Sequence, residues 1–180
     1  MSNKKSYSQV GQDLFVLSLF PDDYRGIFLD FGCQEPERIN NTILLEQKGW
    51  TGYSFDIVDY SEKWKIRETP FICADVLSMD LTGFKNNSPY DYISLDISPY
   101  KGARYELLKR LVDFGIDFKV LTIEHDVYIE GNDERERIPQ RELLNSIGYL
   151  LAKPDVSCGE YPFEDWWVNP KYIDCEKIRF

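Results

Sequence analysis

Apolar residues fall into short consecutive runs, separated by stretches where they recur at helical spacing. The runs predict strands over 26–31, 52–57, 70–74, 90–97, 118–124 and 149–156. Ile27-Phe28-Leu29 and Val120-Leu121-Thr122-Ile123 are apolar on successive positions. Such runs mark strands covered on both faces, as in a parallel sheet flanked by helices. Helices are predicted over 9–20, 36–48, 60–67, 102–114 and 135–147. Leu107, Leu108, Leu111, Val112 and Phe114 form one stripe at helical spacing. The stretch 163–180 predicts one or two further strands, antiparallel to the rest. Trp166 and Trp167 read as sheet and core residues on opposite faces, and Trp50 and Trp64 as core. Strands alternating with helices define an α/β class, and 180 residues suit one domain spanning 1–180.

Charge narrows the partners. Lys and Arg number 21 against 31 Asp and Glu, a net charge of −10. That field opposes a nucleic-acid backbone or an anionic lipid surface, so neither is an expected partner. No apolar run reaches the roughly 20 residues of a membrane helix, and residues 1–6 lack the apolar stretch of a signal peptide. With Cys33, Cys73, Cys158 and Cys175 in no CxxC pair and a single histidine, the reading is reduced thiols, no metal site and a cytoplasmic protein.

In a doubly wound sheet, ligands bind beyond the strand C-termini. The first strand ends in Asp30-Phe31-Gly32-Cys33-Gln34-Glu35-Pro36, where Gly32 permits a tight turn and close ligand approach, and Pro36 suits a first helical turn. Asp56 follows the second strand, about twenty residues after Gly32, the separation at which a carboxylate meets ribose hydroxyls. Asp75, Asp96 and Glu124-His125-Asp126 follow the next three strands. A dinucleotide or P-loop glycine pattern is absent. An acidic edge without a phosphate cradle suits a cationic nucleoside, and S-adenosylmethionine is one. The alternative is that Asp30, Asp75 and Asp96 only cap turns.

The ordered segments Tyr7-Ser8-Gln9-Val10-Gly11-Gln12-Asp13-Leu14-Phe15, Phe28-Leu29-Asp30-Phe31-Gly32, Asn40-Asn41-Thr42 with Leu44-Leu45-Glu46, and Gly49-Trp50-Thr51-Gly52 resemble FkbM-type S-adenosylmethionine-dependent methyltransferases. So do Tyr92-Ile93-Ser94-Leu95-Asp96-Ile97, Leu121-Thr122-Ile123-Glu124-His125-Asp126 with Arg141 and Gly148-Tyr149, and Phe163-Glu164-Asp165-Trp166-Trp167-Val168. The resemblance implies a three-layer, Rossmann-like class I methyltransferase sheet, mostly parallel with an antiparallel C-terminal strand. It implies S-adenosylmethionine as cofactor, with Asp30 and Gly32 at its turn, Asp56 on the ribose, Asp75 near the adenine, Asp96 near the sulfonium, and Gln9 and Asp13 lining the cleft. The implied activity is O-methylation of a small-molecule or glycan hydroxyl. Two segments depart from the family pattern: Pro36 replaces a second glycine, and Ser98-Pro99-Tyr100-Lys101-Gly102-Ala103-Arg104 follows Asp96-Ile97. They motivate the alternative of a non-catalytic module acting through nucleoside binding or protein contacts.

A hydroxyl nucleophile needs a proton acceptor. His125 is the nominated base, oriented by Glu124 or Asp126, with Glu124 and Asp96 as the other candidates. Arg137 and Arg141, spaced to share a helical face, are the candidate clamp for an acidic group on the acceptor.

Overall fold

A computed structural model describes residues 5–97, 102–174 and 176. Among these residues, seven strands form one sheet: β1 (Ile27–Phe31), β2 (Thr51–Asp56), β3 (Phe71–Cys73), β4 (Tyr90–Leu95), β5 (Phe118–Glu124), β6 (Leu150–Cys158) and β7 (Tyr161–Val168). Their order is β3-β2-β1-β4-β5-β7-β6. β1 to β5 pair in parallel, and β7 runs antiparallel to both β5 and β6. The expected α/β sheet with an antiparallel C-terminal strand is what the chain forms. Strand order reverses between β1 and β4, which opens a crevice beyond their C-terminal ends.

Among the described residues, five α-helices accompany the sheet: α1 (Gln12–Leu19), α2 (Ile43–Gln47), α3 (Ser61–Trp64), α4 (Ala103–Asp113) and α5 (Ile138–Ser146). Phe15, Val16 and Leu19 of α1 and Leu45 of α2 pack with Phe28, Trp50, Tyr92, Val120, Trp166 and Val168 on one face. Leu107, Leu108 and Leu111 of α4 and Leu144 of α5 pack with Leu29, Phe31, Ile93, Leu121, Ile123 and Trp167 on the other. Alternation along each strand thus feeds two cores, and Trp166 and Trp167 go to opposite faces. Each buried aromatic or aliphatic side chain contributes about 1.5–3 kcal/mol. Trp50 and Trp64 are buried as expected.

Three expected elements differ. The helix over 36–48 shrinks to Ile43–Gln47, because 33–42 is an irregular loop held by side chains. In that loop the Asn40 carboxamide donates to the Cys33 carbonyl at 3.2 Å and accepts from the Ile43 N–H at 2.9 Å. Arg67 donates to the Pro36 carbonyl at 2.9 Å and pairs with Glu46 at 2.9 Å. Pro36 therefore sits in a loop and starts no helix. The helix over 135–147 divides into a π turn, Asp133–Arg137, followed by α5. The expected N-terminal helix begins only at Gln12, after Gly11 in the left-handed region. A 3₁₀ turn, Thr82–Asn87, had no counterpart among the expected elements. The tail supplies one strand, Tyr161–Val168; residues 177–180 and Cys175 lie outside the described residues, as do 98–101. Cys33, Cys73 and Cys158 are free thiols, and no helix among the described residues is long and apolar enough to cross a membrane.

Candidate functional site

The turn after β1 is fixed by backbone crowding. The Gly32 and Cys33 N–H groups both donate to the Phe55 carbonyl, at 2.8 and 3.1 Å. Gly32 has φ 83°, and a Cβ there would lie 1.9 Å from the Asp96 carbonyl oxygen. The glycine thus lets the end of β4 approach the end of β1, in addition to meeting the left-handed conformation.

Two cavities open along this edge. One, of about 390 Å³, is walled by Gly32, Gln34, Asp56, Tyr60, Asp75, Val76 and Ile97 among others. Ile57 and Val58 give it an apolar, solvent-exposed rim. The other, of about 460 Å³, is walled by Gln9, Gln34, Asp96, Glu124, Asp126, Tyr128, Cys158, Tyr161 and Phe163. Gln34 belongs to both walls, so the cavities adjoin. Among the described residues, neither set of wall residues contains a lysine or arginine.

In the first cavity, Asp56 ends β2 and accepts the Gln34 N–H at 3.0 Å and the Val58 N–H at 2.8 Å. A carboxylate has about four acceptor positions, so two remain. Asp75 accepts the Leu77 N–H at 3.0 Å, capping its turn while lining the wall. Asp30 lines neither cavity: it is buried beneath the edge and accepts from the Thr42 hydroxyl at 2.8 Å. Burial pushes its pKa up to about 6, against the pull of Thr42 and Arg67.

In the second cavity, Asp96 and Glu124 share a hydrogen bond. Burial first, then the neighbouring Glu124 charge, hold the Asp96 carboxyl well above the ordinary range. Burial raises Glu124 as well. Arg104 of α4, buried, donates through Nη2 to Glu124 at 2.7 Å and to Asp126 at 2.8 Å. Asp126 has φ 46°, a strained conformation for a non-glycine residue, and that conformation aims its side chain at the cavity. Behind this layer, Glu136 accepts the Arg104 and Tyr105 N–H groups at the start of α4, at 3.3 and 2.8 Å. Gln140 ties Glu136 to the Glu124 carbonyl. Glu164 of β7 sits opposite Glu124 and accepts from Gln12 at 3.2 Å and from the Trp166 indole. Burial lifts its pKa to about 8.

Several nominated residues lie elsewhere. His125 is fully enclosed and faces away from both cavities, because alternation sends it to the side opposite Glu124. Its Nε2 is 3.5 Å from Asp165 and 3.7 Å from Asp155. A side chain so placed cannot reach an acceptor in the cavity, so the nomination of His125 as base is corrected. Arg137 and Arg141 share a face as expected, but their charge is used internally. Arg137 pairs with Asp133 and Asp155, each at 2.7 Å, and Arg141 grips Asp165 at 2.7 and 2.8 Å. The acceptor clamp is corrected to a brace between the π turn, α5 and the β6–β7 hairpin. His125, Asp155 and Asp165 place potential ligand atoms within 4.8 Å of one another, but the two guanidinium groups already supply the positive charge there. Asp13 accepts from Ser6, Ser8 and the Tyr7 N–H at 2.7–2.8 Å and organises the N-terminal loop, away from the cavities. Gln9 lines the second cavity from the segment before α1.

Arg104, Glu164, Tyr128 and Tyr161 went unnominated. Asp126 and Arg104 differ from ordinary surface charges only through tertiary contact. Glu164 carried a signal: with Asp165 it makes a pair of acids between Phe163 and the Trp pair in an aromatic strand.

Comparisons with known proteins follow the same outline. No family model matches the chain, and neither does any curated protein. Among solved structures, magnesium protoporphyrin IX methyltransferase (ChlM) from Synechocystis PCC 6803 with bound SAM is similar, with TM-score 0.58 and 16% identity over 89% of this chain and 79% of that one. A protein in the NADB-Rossmann superfamily from Streptococcus agalactiae gives TM-score 0.57 and 15% identity, over 88% and 67%. MycE methyltransferase from the mycinamycin biosynthetic pathway, in complex with Mg and SAH, gives TM-score 0.55 and 16% identity, over 93% and 55%. At these identities the shared feature is the Rossmann-like α/β fold.

Proposed function

We propose that the chain is an S-adenosylmethionine-dependent methyltransferase acting in the cytoplasm on a hydroxyl of a small molecule or glycan, as a single domain. The observation that carries this reading is the pair of adjoining cavities at the switch point, one edged by Asp56 and apolar side chains, the other with carboxyls as its charged groups among the described residues. Structures of similar fold hold SAM or SAH. The residues fit such a ligand: the free acceptor positions of Asp56 match two ribose hydroxyls, Ile57, Val58 and Tyr60 match a flat purine, and Asp75 lies within the same wall. Asp96 and Glu124 offer negative potential to a sulfonium, and the edge lacks a glycine-rich cradle for pyrophosphate.

The bound cofactor supplies an electrophilic methyl group, and the chain supplies alignment and a proton acceptor. Alignment of two reactants is worth about 7–11 kcal/mol in oriented models. Asp126 and Glu124, fixed by the Arg104 guanidinium, are the carboxylates placed to take the hydroxyl proton, a contribution of about 10²–10⁴-fold. Tyr128 and Tyr161, 5.3 Å apart edge to face and half exposed, form the mouth through which the acceptor enters.

The test is calorimetry with S-adenosylmethionine, S-adenosylhomocysteine and NADH, followed by transfer of labelled methyl to a panel of glycans and hydroxylated small molecules. Binding of the first two and label on a hydroxyl support the reading. Binding without transfer to any acceptor supports a non-catalytic nucleoside module instead, and binding of NADH alone supports dinucleotide chemistry.

A further inference from the structure

Asp96, Glu124 and Glu164 form a row across three neighbouring strands. Leu95 pairs with Ile123, which sets Asp96 beside Glu124, and Glu124 lies directly opposite Glu164 in the β5–β7 register. The three side chains share the face that carries α1. With Asp126 they make four carboxyls, and the guanidinium facing them is that of Arg104. The other groups around the row are Gln12 from α1, Trp166 and Asp165 from β7, Tyr92 from β4, Tyr128 at the mouth, Glu136 behind Arg104, and Asp30 from β1. Lys153 of β6 adds a cation on this face, its ammonium 4.5 Å from the centre of the Trp166 ring, whereas the residues just named add none.

We propose that this row makes the site discriminate by charge between the sulfonium donor and its neutral thioether product, with Glu164 as the positioning residue that sets the field behind Glu124 and Asp96. The inference rests on the methyltransferase reading.

The physics is proton linkage. Carboxyls this close in an enclosed site do not all ionise, and some keep their protons. Glu164, lifted to about 8, and Asp96, also raised, are the groups that hold them. A cation beside Asp96 and Glu124 lowers the cost of ionisation, so protons leave as it binds. A neutral thioether gives no such compensation. Methyl transfer removes the positive charge from sulfur while the acceptor proton passes to a carboxylate. The site then holds a ligand for which its field offers nothing, which favours release.

Calorimetry of the full chain in two buffers of different ionisation enthalpy tests this directly. A window from about pH 5.5 to 7 stays below the titration of the ligands' own amino groups. S-adenosylmethionine is expected to release protons and to gain about tenfold in affinity across the window, while S-adenosylhomocysteine changes by less than about twofold. Glu164→Gln, checked for folding by its thermal transition, should reduce the difference between the two pH profiles, and Glu164→Asp should restore part of it. Parallel profiles for the two ligands in the wild-type chain would overturn the inference while leaving the methyltransferase reading intact, as would a Glu164→Gln variant with unchanged profiles. Failure of both ligands to bind the folded chain overturns both. The wild-type comparison decides the matter even if Glu164→Gln does not fold.

Discussion

Asp96 and Glu124 meet side by side across the ends of two adjacent parallel strands, because Leu95 pairs with Ile123. This contact joins the two halves of the crevice, because Asp96 also presents its backbone carbonyl to Gly32. A Cβ at residue 32 would meet that carbonyl at 1.9 Å and force β1 and β4 apart. Gly32→Ala is therefore expected to cost about 3 kcal/mol, combining overpacking with an unfavourable φ. Chemical denaturation measures it; a stability within experimental error of wild type would show that the turn rearranges freely.

Arg104 is the cation paired with Glu124 and Asp126 under the cavity. Arg104→Met keeps the length of the side chain and removes the charge. A buried pair broken from one side loses about 3–5 kcal/mol. The loss should be smaller in acid, where the orphaned carboxyls take up protons, and equal losses at about pH 5 and about pH 8 would contradict this role.

The buried carboxyls also fix how stability varies with pH. Burial raises Glu164 from 4.5 to about 8 and Asp30 from 3.8 to about 6. The folded chain thus binds more protons than the unfolded one, and stability falls as pH rises through those folded values. Asp165 behaves oppositely. Burial opposes its ionisation, but Arg141 and His125 outweigh it and hold the carboxyl at about 2, so its contribution is lost as pH falls from 3.8 toward that value. Urea midpoints from pH 4 to 9 should therefore decline toward the alkaline side, and Glu164→Gln should flatten the decline. Midpoints that rise from pH 5 to 8 would refute the assignment.

His125 braces the β5–β7 contact from inside. His125→Ala should lower stability by about 2–3 kcal/mol through the space it leaves, with donor affinity within about twofold of wild type. Paired thermal melts and calorimetry check both halves; a large loss of affinity at unchanged stability would return His125 to the site.

The sheet was legible because runs such as Ile27-Phe28-Leu29 have no other comfortable conformation. The strand-end positions of Asp56, Asp75 and Asp96 followed from it. The loop before α2 was not legible. Ile39 extends the apolar pattern of Ile43 to Leu45, yet it is 56% exposed with φ 49°, because Asn40 and Arg67 hold the chain off the helix. Those contacts join positions 27 residues apart, beyond any local pattern. His125 was misassigned for a different reason: residue type outweighed strand alternation, which already placed it opposite Glu124. Arg137 and Arg141 had the spacing of a clamp, and only the tertiary position of Asp155 and Asp165 reveals what they hold.

A structure of the chain with S-adenosylmethionine bound is the most direct trial. We expect the ribose on Asp56, the purine against Ile57 and Tyr60, and the sulfur beside Asp96 and Glu124. Electron density for the donor at any other place on the molecule, or contacts to the ribose that leave Asp56 uninvolved, would contradict the assignment of this crevice.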